Sequence, residues 1–336
     1  MLENAPERAS GIGSWPGTDV EEAQRTTFGE LPDPGIPYLP ELPARGPGSD
    51  LIGRGAALLI ETPVDLQPSG WRLVSRPGRD LHRAQAMLRQ DLDVLAEVAD
   101  GYRGSLKLQV CGPWTLAASV NLPRLERAVA DPGACRDLTS SLAEGLSAHL
   151  AEVRRSVPGA EVVVQFDEPS LPAVLLGRLP TSSGFGRLRS IDDEVAVESL
   201  RTVLAAVTAG GAVETVVHCC SGDVPIGLLL RAGVDGLSVD VSLLGVAGWE
   251  ELAPAVEGGT RLWAGAVATS GSLPSAAAVA DAVWTPWRRL GLSTSLLAAV
   301  VVTPACGLSG LSPVAARAAL ERAVQAAKEL AHRAQE

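Results

Sequence analysis

Apolar residues fall into seven short runs, at 56–60, 105–110, 161–166, 213–217, 234–239, 261–267 and 296–302. Each is nearly continuous in Val, Ile, Leu and Ala, the pattern of a strand buried on both faces. A shorter segment at 10–14 makes eight. Between the runs the period changes. Over 80–100, Leu81, Ala84, Met87, Leu88, Leu92 and Leu95 recur at helical spacing, and over 137–155 Leu138, Leu142, Leu146 and Leu150 do the same. The stretches 192–209 and 313–334 behave alike, the last opened by Ser312 and Pro313 as cap and first-turn proline. Strand and helix alternate, which argues for parallel pairing through crossover helices.

Eight strands in a chain of 336 residues predict a closed (β/α)8 barrel of the TIM type, one domain over 1–336. The rival, an open doubly wound sheet, needs a glycine-rich phosphate loop after the first strand. Gly11-Ile12-Gly13-Ser14-Trp15-Pro16 instead puts proline where the helix should open. The segment 28–55 is rich in Pro and Gly and is expected as a long loop after the first strand, over the barrel mouth.

Composition narrows the partners. Lys plus Arg is 28 and Asp plus Glu is 39, a net charge of −11, which argues against nucleic acid. No apolar run reaches membrane-spanning length, and no membrane association is expected. The N-terminus lacks the pattern of a signal peptide. Five cysteines are too few for a disulfide framework in a chain this long. The expectation is a cytoplasmic protein with free thiols, some of them metal ligands.

Barrels of this kind place chemistry at the C-terminal ends of their strands. Cys111, His218, Cys219, Cys220 and Cys306 all fall at such ends. His218 and Cys220 are two apart, so on an extended strand they share a face, while Cys219 points away. Cys306 after the last strand and Asp240 after the sixth can complete an N, S, S, O set of the kind that suits Zn²⁺. Packing suffices for Cys111, Cys135 and Cys219, as it does, with solvation, for His82, His149 and His332. Two thiolates make a bound zinc a poor water activator and a better holder of an incoming thiol. Asp167-Glu168-Pro169 ends a strongly apolar run. A carboxylate there can hold an ammonium group or cap a helix, and the residues alone leave both open. Gly13-Ser14 offers close backbone approach and a hydroxyl, or a tight turn.

Six motifs now stand in order: Ile12-Gly13-Ser14-Trp15-Pro16, Gly112-Pro113-Trp114-Thr115, Asp167-Glu168-Pro169, His218-x-Cys220, Leu237-Ser238-Val239-Asp240 and Cys306-Gly307-Leu308. Over nearly its whole length the chain resembles the catalytic domain of cobalamin-independent methionine synthase. That resemblance implies a (β/α)8 barrel in which zinc activates the homocysteine thiol for methyl transfer. It implies His218, Cys220 and Cys306 as zinc ligands, Ile12, Gly13 and Ser14 as the amino-acid-binding strand, and Asp167 as the carboxylate on the homocysteine amino group. The fourth ligand of the family is glutamate, and Asp240 stands in its place. A folate-stacking tryptophan is replaced by Ser119 and a pterin-reading glutamate by Ala173. The histidine that donates a proton after the seventh strand is missing from 268–274. Glu61 is a candidate for the family's glutamate after the second strand.

The thiol side is kept and the folate side is lost. The reading is zinc-dependent methyl transfer to a thiol, homocysteine first, from a donor other than folate such as a methyl-corrinoid protein. A related barrel acting on coenzyme M or a porphyrinogen, or a degenerate barrel that only binds an amino acid or a metal, are the alternatives.

Overall fold

A computed structural model describes residues 7–124 and 126–335. The chain opens with an extended segment, 8–14, and helix α1 (Val20–Glu30), capped by Asp19. A second extended segment, 36–41, leads through a short turn at Pro43–Arg45 to α2 (Leu51–Leu58). A hairpin follows, β1 (Val64–Gln67) and β2 (Gly70–Leu73). Then come α3 (Arg79–Val98), β3 (Gly104–Cys111), α4 (Pro113–Ser119), α5 (Pro132–Ser156), β4 (Ala160–Asp167), α6 (Leu171–Leu175) and α7 (Asp193–Ala209). The last third holds β5 (Glu214–Cys219), α8 (Ile226–Ala232), β6 (Gly236–Asp240), α9 (Val246–Glu257), β7 (Arg261–Val267), α10 (Ala276–Arg289), β8 (Val301–Pro304) and α11 (Pro313–Arg333).

Strands β3 to β8 form one parallel sheet in sequence order. Its two edges are bridged by the extended segments. The Ser10 amide donates to the Val302 carbonyl and the Val302 amide to the Arg8 carbonyl, beside β8. Beside β3, the Leu39 amide donates to the Lys107 carbonyl and the Lys107 amide to that of Pro37. The segments also join each other, Ile36 to Ala9 and Glu41 to Gly13. An unpaired edge would leave a row of bare amides and carbonyls.

Three expectations change here. The run 56–60 is not a strand: residues 56–58 are the last turn of α2, which starts where the Asp50 carboxylate accepts from the amides of Ile52 and Gly53. A five-residue apolar run does not distinguish buried helix from buried strand, and the cap decides. The segment 28–55 is not one loop, since it holds the bridged stretch 36–41 and the start of α2. The run 296–302 becomes a 3-10 turn at Thr294–Ala299 followed by the short β8.

The main core lies between the sheet and its helices. A second, separate apolar cluster consists of Ile36, Val163, Val216, Trp263 and Val301. All come from strands or bridged segments, so they mark the inner face of the curled sheet. Side chains two residues further along each strand return to that face. They are Tyr38, Gln165, His218, Gly265 and Thr303. The inner face is thus an apolar floor with a polar layer on its C-terminal side.

Candidate active site

The sheet brings His218, Cys220 and Cys306 together. One ligand atom from each lies within 4.8 Å of the others. The two sulfurs are 3.3 Å apart, although 86 residues separate them in the chain. His218 ends β5 facing inward, with Nδ1 3.0 Å from the hydroxyl of Ser238 on β6. Nε2 is buried and has no hydrogen-bond partner among the described residues. An imidazole held at one nitrogen, with the other bare and two thiols close by, suits a metal-ligating histidine. The hydrogen bond between the two sulfurs and the nearby His218 ring pull the Cys306 thiol down, and the same bond pushes Cys220 up.

Asp240 stands outside this group. Its Oδ1 accepts from the amide and hydroxyl of Ser242, at 2.9 and 2.6 Å. A short side chain at a strand end finds these donors two residues on. The structure therefore assembles three of the four residues expected at a metal.

The pair Asp167-Glu168 divides its roles. Glu168 is fully buried; Oε1 accepts from the Trp114 amide, and Oε2 from the amide and hydroxyl of Thr115. It satisfies the start of α4, the neighbouring helix, and burial still pushes its carboxyl up to about 7. Asp167 faces inward and makes no cap. Gln165 Nε2 donates to its Oδ1 at 2.6 Å. Burial raises its carboxyl, against the opposing pull of His218, Lys107 and the Gln165 hydrogen bond.

Segment 12–14 packs against the same place. The Ile12 carbonyl accepts from Lys107 Nζ at 2.6 Å and from Gln165 Nε2 at 2.9 Å. Gly13 lies so close to β3 that a Cβ would sit 2.4 Å from Gln109 Cγ. Ser14 borders the loop after β8: a Cβ on Gly307 would stand 2.1 Å from its Oγ, and its carbonyl accepts from the Leu308 amide. The expected amino-acid strand and the Cys306 ligand loop are thus neighbours.

Two participants were not singled out from the sequence. Glu41, at the end of segment 36–41, is buried, lies 3.7 Å from Arg54 and senses the charges of Asp167 and Lys107. Burial raises its carboxyl to about 7. The sequence carried no signal for it, since the proline-rich stretch Ile36 to Glu41 reads as loop until it is known to be bridged into the sheet. Glu61 is elsewhere, exposed, with φ 54°, in a cleft beside α5 that Asp137 and Glu144 also line. The second is Lys107, fully buried on β3. Ser119 closes α4 and Ala173 lies in α6, both half-buried. None of the four histidines lies in the loop after β7.

Fold and site together define an α/β protein with a His/Cys group able to hold a metal ion at the C-terminal ends of its parallel strands. The chain belongs to the family of the cobalamin-independent synthase catalytic domain, whose model matches residues 8–329. Among solved structures it is similar to a B12-independent methionine synthase from Shewanella sp. W3-18-1, in complex with selenomethionine. Identity is 14%, coverage 97% of this chain and 98% of that one, and TM-score 0.64. It is also similar to a methyltransferase from Methanosarcina mazei, at 13% identity, 99% and 94% coverage, and TM-score 0.58. No curated protein matches the sequence. Among the described residues no helix is long and apolar enough to cross a membrane.

Proposed function

We propose that this chain is a zinc-dependent methyltransferase acting on a thiol, homocysteine first, and that its sheet and bridged segments form one (β/α)8 barrel over the whole length. The observation that carries the reading is the meeting of His218, whose Nε2 is buried and bare, with the thiols of Cys220 and Cys306 within 4.8 Å. A soft N/S set suits zinc. His218, Cys220 and Cys306 would hold the ion, leaving Asp240 on Ser242. Bound there, zinc would lower the pKa of an incoming thiol and keep it nucleophilic.

The chain's own residues supply the rest. Ser238 fixes the His218 ring through Nδ1, which would carry the ring proton once Nε2 holds the ion. Asp167 offers a buried carboxylate to the substrate ammonium, oriented by Gln165. Glu41 adds a second acid in the place assigned above to Glu61. Ile12, Gly13 and Ser14 present backbone and hydroxyl at the other side of the pocket. Folate recognition is absent on this reading, because Ser119 and Ala173 offer neither a ring to stack on nor a carboxylate to read a pterin. A methyl-corrinoid donor fits better.

The test is turnover. Zinc-loaded protein is supplied with homocysteine and either methyltetrahydrofolate, its polyglutamates or methylcobalamin. Methionine is expected with the corrinoid and not with the folates. Equal turnover with folate would overturn the donor assignment, and no turnover with any methyl donor would overturn the activity.

A further inference from the structure

The chain has two lysines among 28 basic residues. Lys328 is exposed on α11. Lys107 is fully buried on β3, beside the floor residue Val163 of β4. Arginine serves everywhere else, so the ammonium at this position invites an account. A guanidinium is planar, larger and always charged, while an ammonium is a compact donor that fits a narrow interior.

Its surroundings are specific. Nζ donates to the Ile12 carbonyl at 2.6 Å, lies 3.5 Å from Gln109 Oε1 and sits 5.2 Å from the centre of the Tyr38 ring. The Ile12 carbonyl is shared: Gln165 Nε2 donates to it and also to Asp167. Lys107, Ile12, Gln165 and Asp167 therefore form one connected chain from β3 across segment 8–14 to β4. Glu41 and Asp167 both favour the charged form of Lys107, while burial lowers it to about 7. Glu41 has Arg54 on its other side, but Arg54 is engaged by Asp91, which Arg45 also pairs. On the inner face Tyr38 Oη, Gln165 Oε1 and Thr303 Oγ1 are buried with no hydrogen-bond partner among the described residues, and Glu41 Oε1 has only the 3.7 Å ion pair with Arg54. Buried polar atoms left bare in such number mark a place built for something polar.

We propose that Lys107 is a positioning residue of the amino-acid pocket, its ammonium anchoring the Ile12 carbonyl. The inference rests on the reading of the site as a homocysteine site and extends it. Arg45 and Arg54 balance Asp91 and Glu41 on the outer side, and Lys107 is left to hold the Ile12 carbonyl, through which Gln165 and then Asp167 are aimed into the pocket. Losing the ammonium loosens that chain at the end that meets a ligand amino group. Lys107 thereby acts on the amino end of an α-amino thiol, without touching the sulfur or the metal ligands.

Two lysines make the test direct. In protein carrying 13Cε,15Nζ-labelled lysine, saturating homocysteine should shift the Lys107 signal and leave Lys328 in place. The deaminated analogue 4-mercaptobutyrate should leave both nearly unmoved. In Lys107→Met, homocysteine should bind about tenfold more weakly, roughly 1.4 kcal/mol, with 4-mercaptobutyrate affinity and zinc content unchanged. An unmoved Lys107 signal with homocysteine demonstrably bound would overturn the assignment, as would equal weakening of both thiols. Should Lys107→Met fail to fold, the labelled wild-type titration decides alone. Wild-type protein that binds neither thiol would overturn the homocysteine reading itself, an outcome distinct from bound homocysteine with a silent Lys107.

Discussion

Asp167 and Glu168 are adjacent, both acidic and both buried, yet the chain uses them differently. Glu168 is spent on three donors at the start of α4. Asp167 has one side-chain donor, Gln165, and room to accept more. Of the two meanings left open by the Asp-Glu-Pro motif, the capping one falls to Glu168, and the ammonium-holding one is what we propose for Asp167. Replacing Asp167 with Asn keeps the shape and removes the charge. Charge-assisted hydrogen bonds are worth about 1.5–3 kcal/mol, so homocysteine affinity should fall by about tenfold or more. Binding of 4-mercaptobutyrate and zinc content should hold. Parallel calorimetric titrations of the two thiols check this, and an unchanged homocysteine affinity would reduce Asp167 to a turn residue.

At the scale of elements, α2 and α5 show how packing and charge meet behind the site. A Cβ on Gly145 of α5 would stand 1.7 Å from the Leu58 carbonyl, so the helix is pressed against the end of α2. One turn further along α5, His149 is buried, and burial followed by the charge of Arg54 lowers it to about 4. Its folded-state value lies below the ordinary 6.5, so the unfolded chain binds the extra proton. The stability His149 contributes is complete above about pH 6.5 and is lost as pH falls toward 4, up to about 3 kcal/mol. Glu41 and Glu168 work in the opposite sense. Their raised carboxyls favour the folded state at low pH, and that contribution fades as pH rises toward 7. Comparing wild type with His149→Gln cancels the shared terms. Between pH 7 and 4.5 the wild type should lose stability more steeply than the variant, read by urea unfolding; parallel slopes would show that His149 does not carry the dependence.

For the whole molecule, the group of His218, Cys220 and Cys306, able to hold a metal, is a long-range closure. Cys220 follows β5 and Cys306 follows β8, and three crossover helices lie between them in the chain. An ion bound by both ends ties that arc together and favours only the folded state, so it adds to stability by mass action. Removing zinc with a chelator should therefore lower the melting temperature of the wild type and release about one ion per chain. Cys220→Ser should start near the lower temperature, hold little zinc and respond little to chelator. Full zinc retention in both Cys220→Ser and Cys306→Ser would move the metal elsewhere.

Local chemistry made much of this legible in the sequence. The runs at 105–110, 161–166, 213–217, 234–239 and 261–267 became β3 to β7, because a strand covered on both faces must be continuously apolar. The four helices read from their period appear with small shifts at the ends. His218 and Cys220 share a face because strand geometry alternates, and that needs no partner to be known. Other features depended on what lies across space. Segment 36–41 is rich in proline and reads as loop; only its bonds to Gly13, Ala9 and Lys107 bring it into the sheet and turn Glu41 inward. Residues 56–60 were apolar enough for a strand, but the Asp50 cap and the pressure of α5 made the stretch a helix end. Asp240 occupied the expected strand end, where its Oδ1 accepts from the amide and hydroxyl of Ser242. Lys107 gave no signal in a pattern of apolar neighbours, because its meaning comes from a carbonyl 95 residues away. Periodicity is a property of neighbours along the chain, whereas a buried charge is defined by its partners, and those are chosen only when the sheet curls.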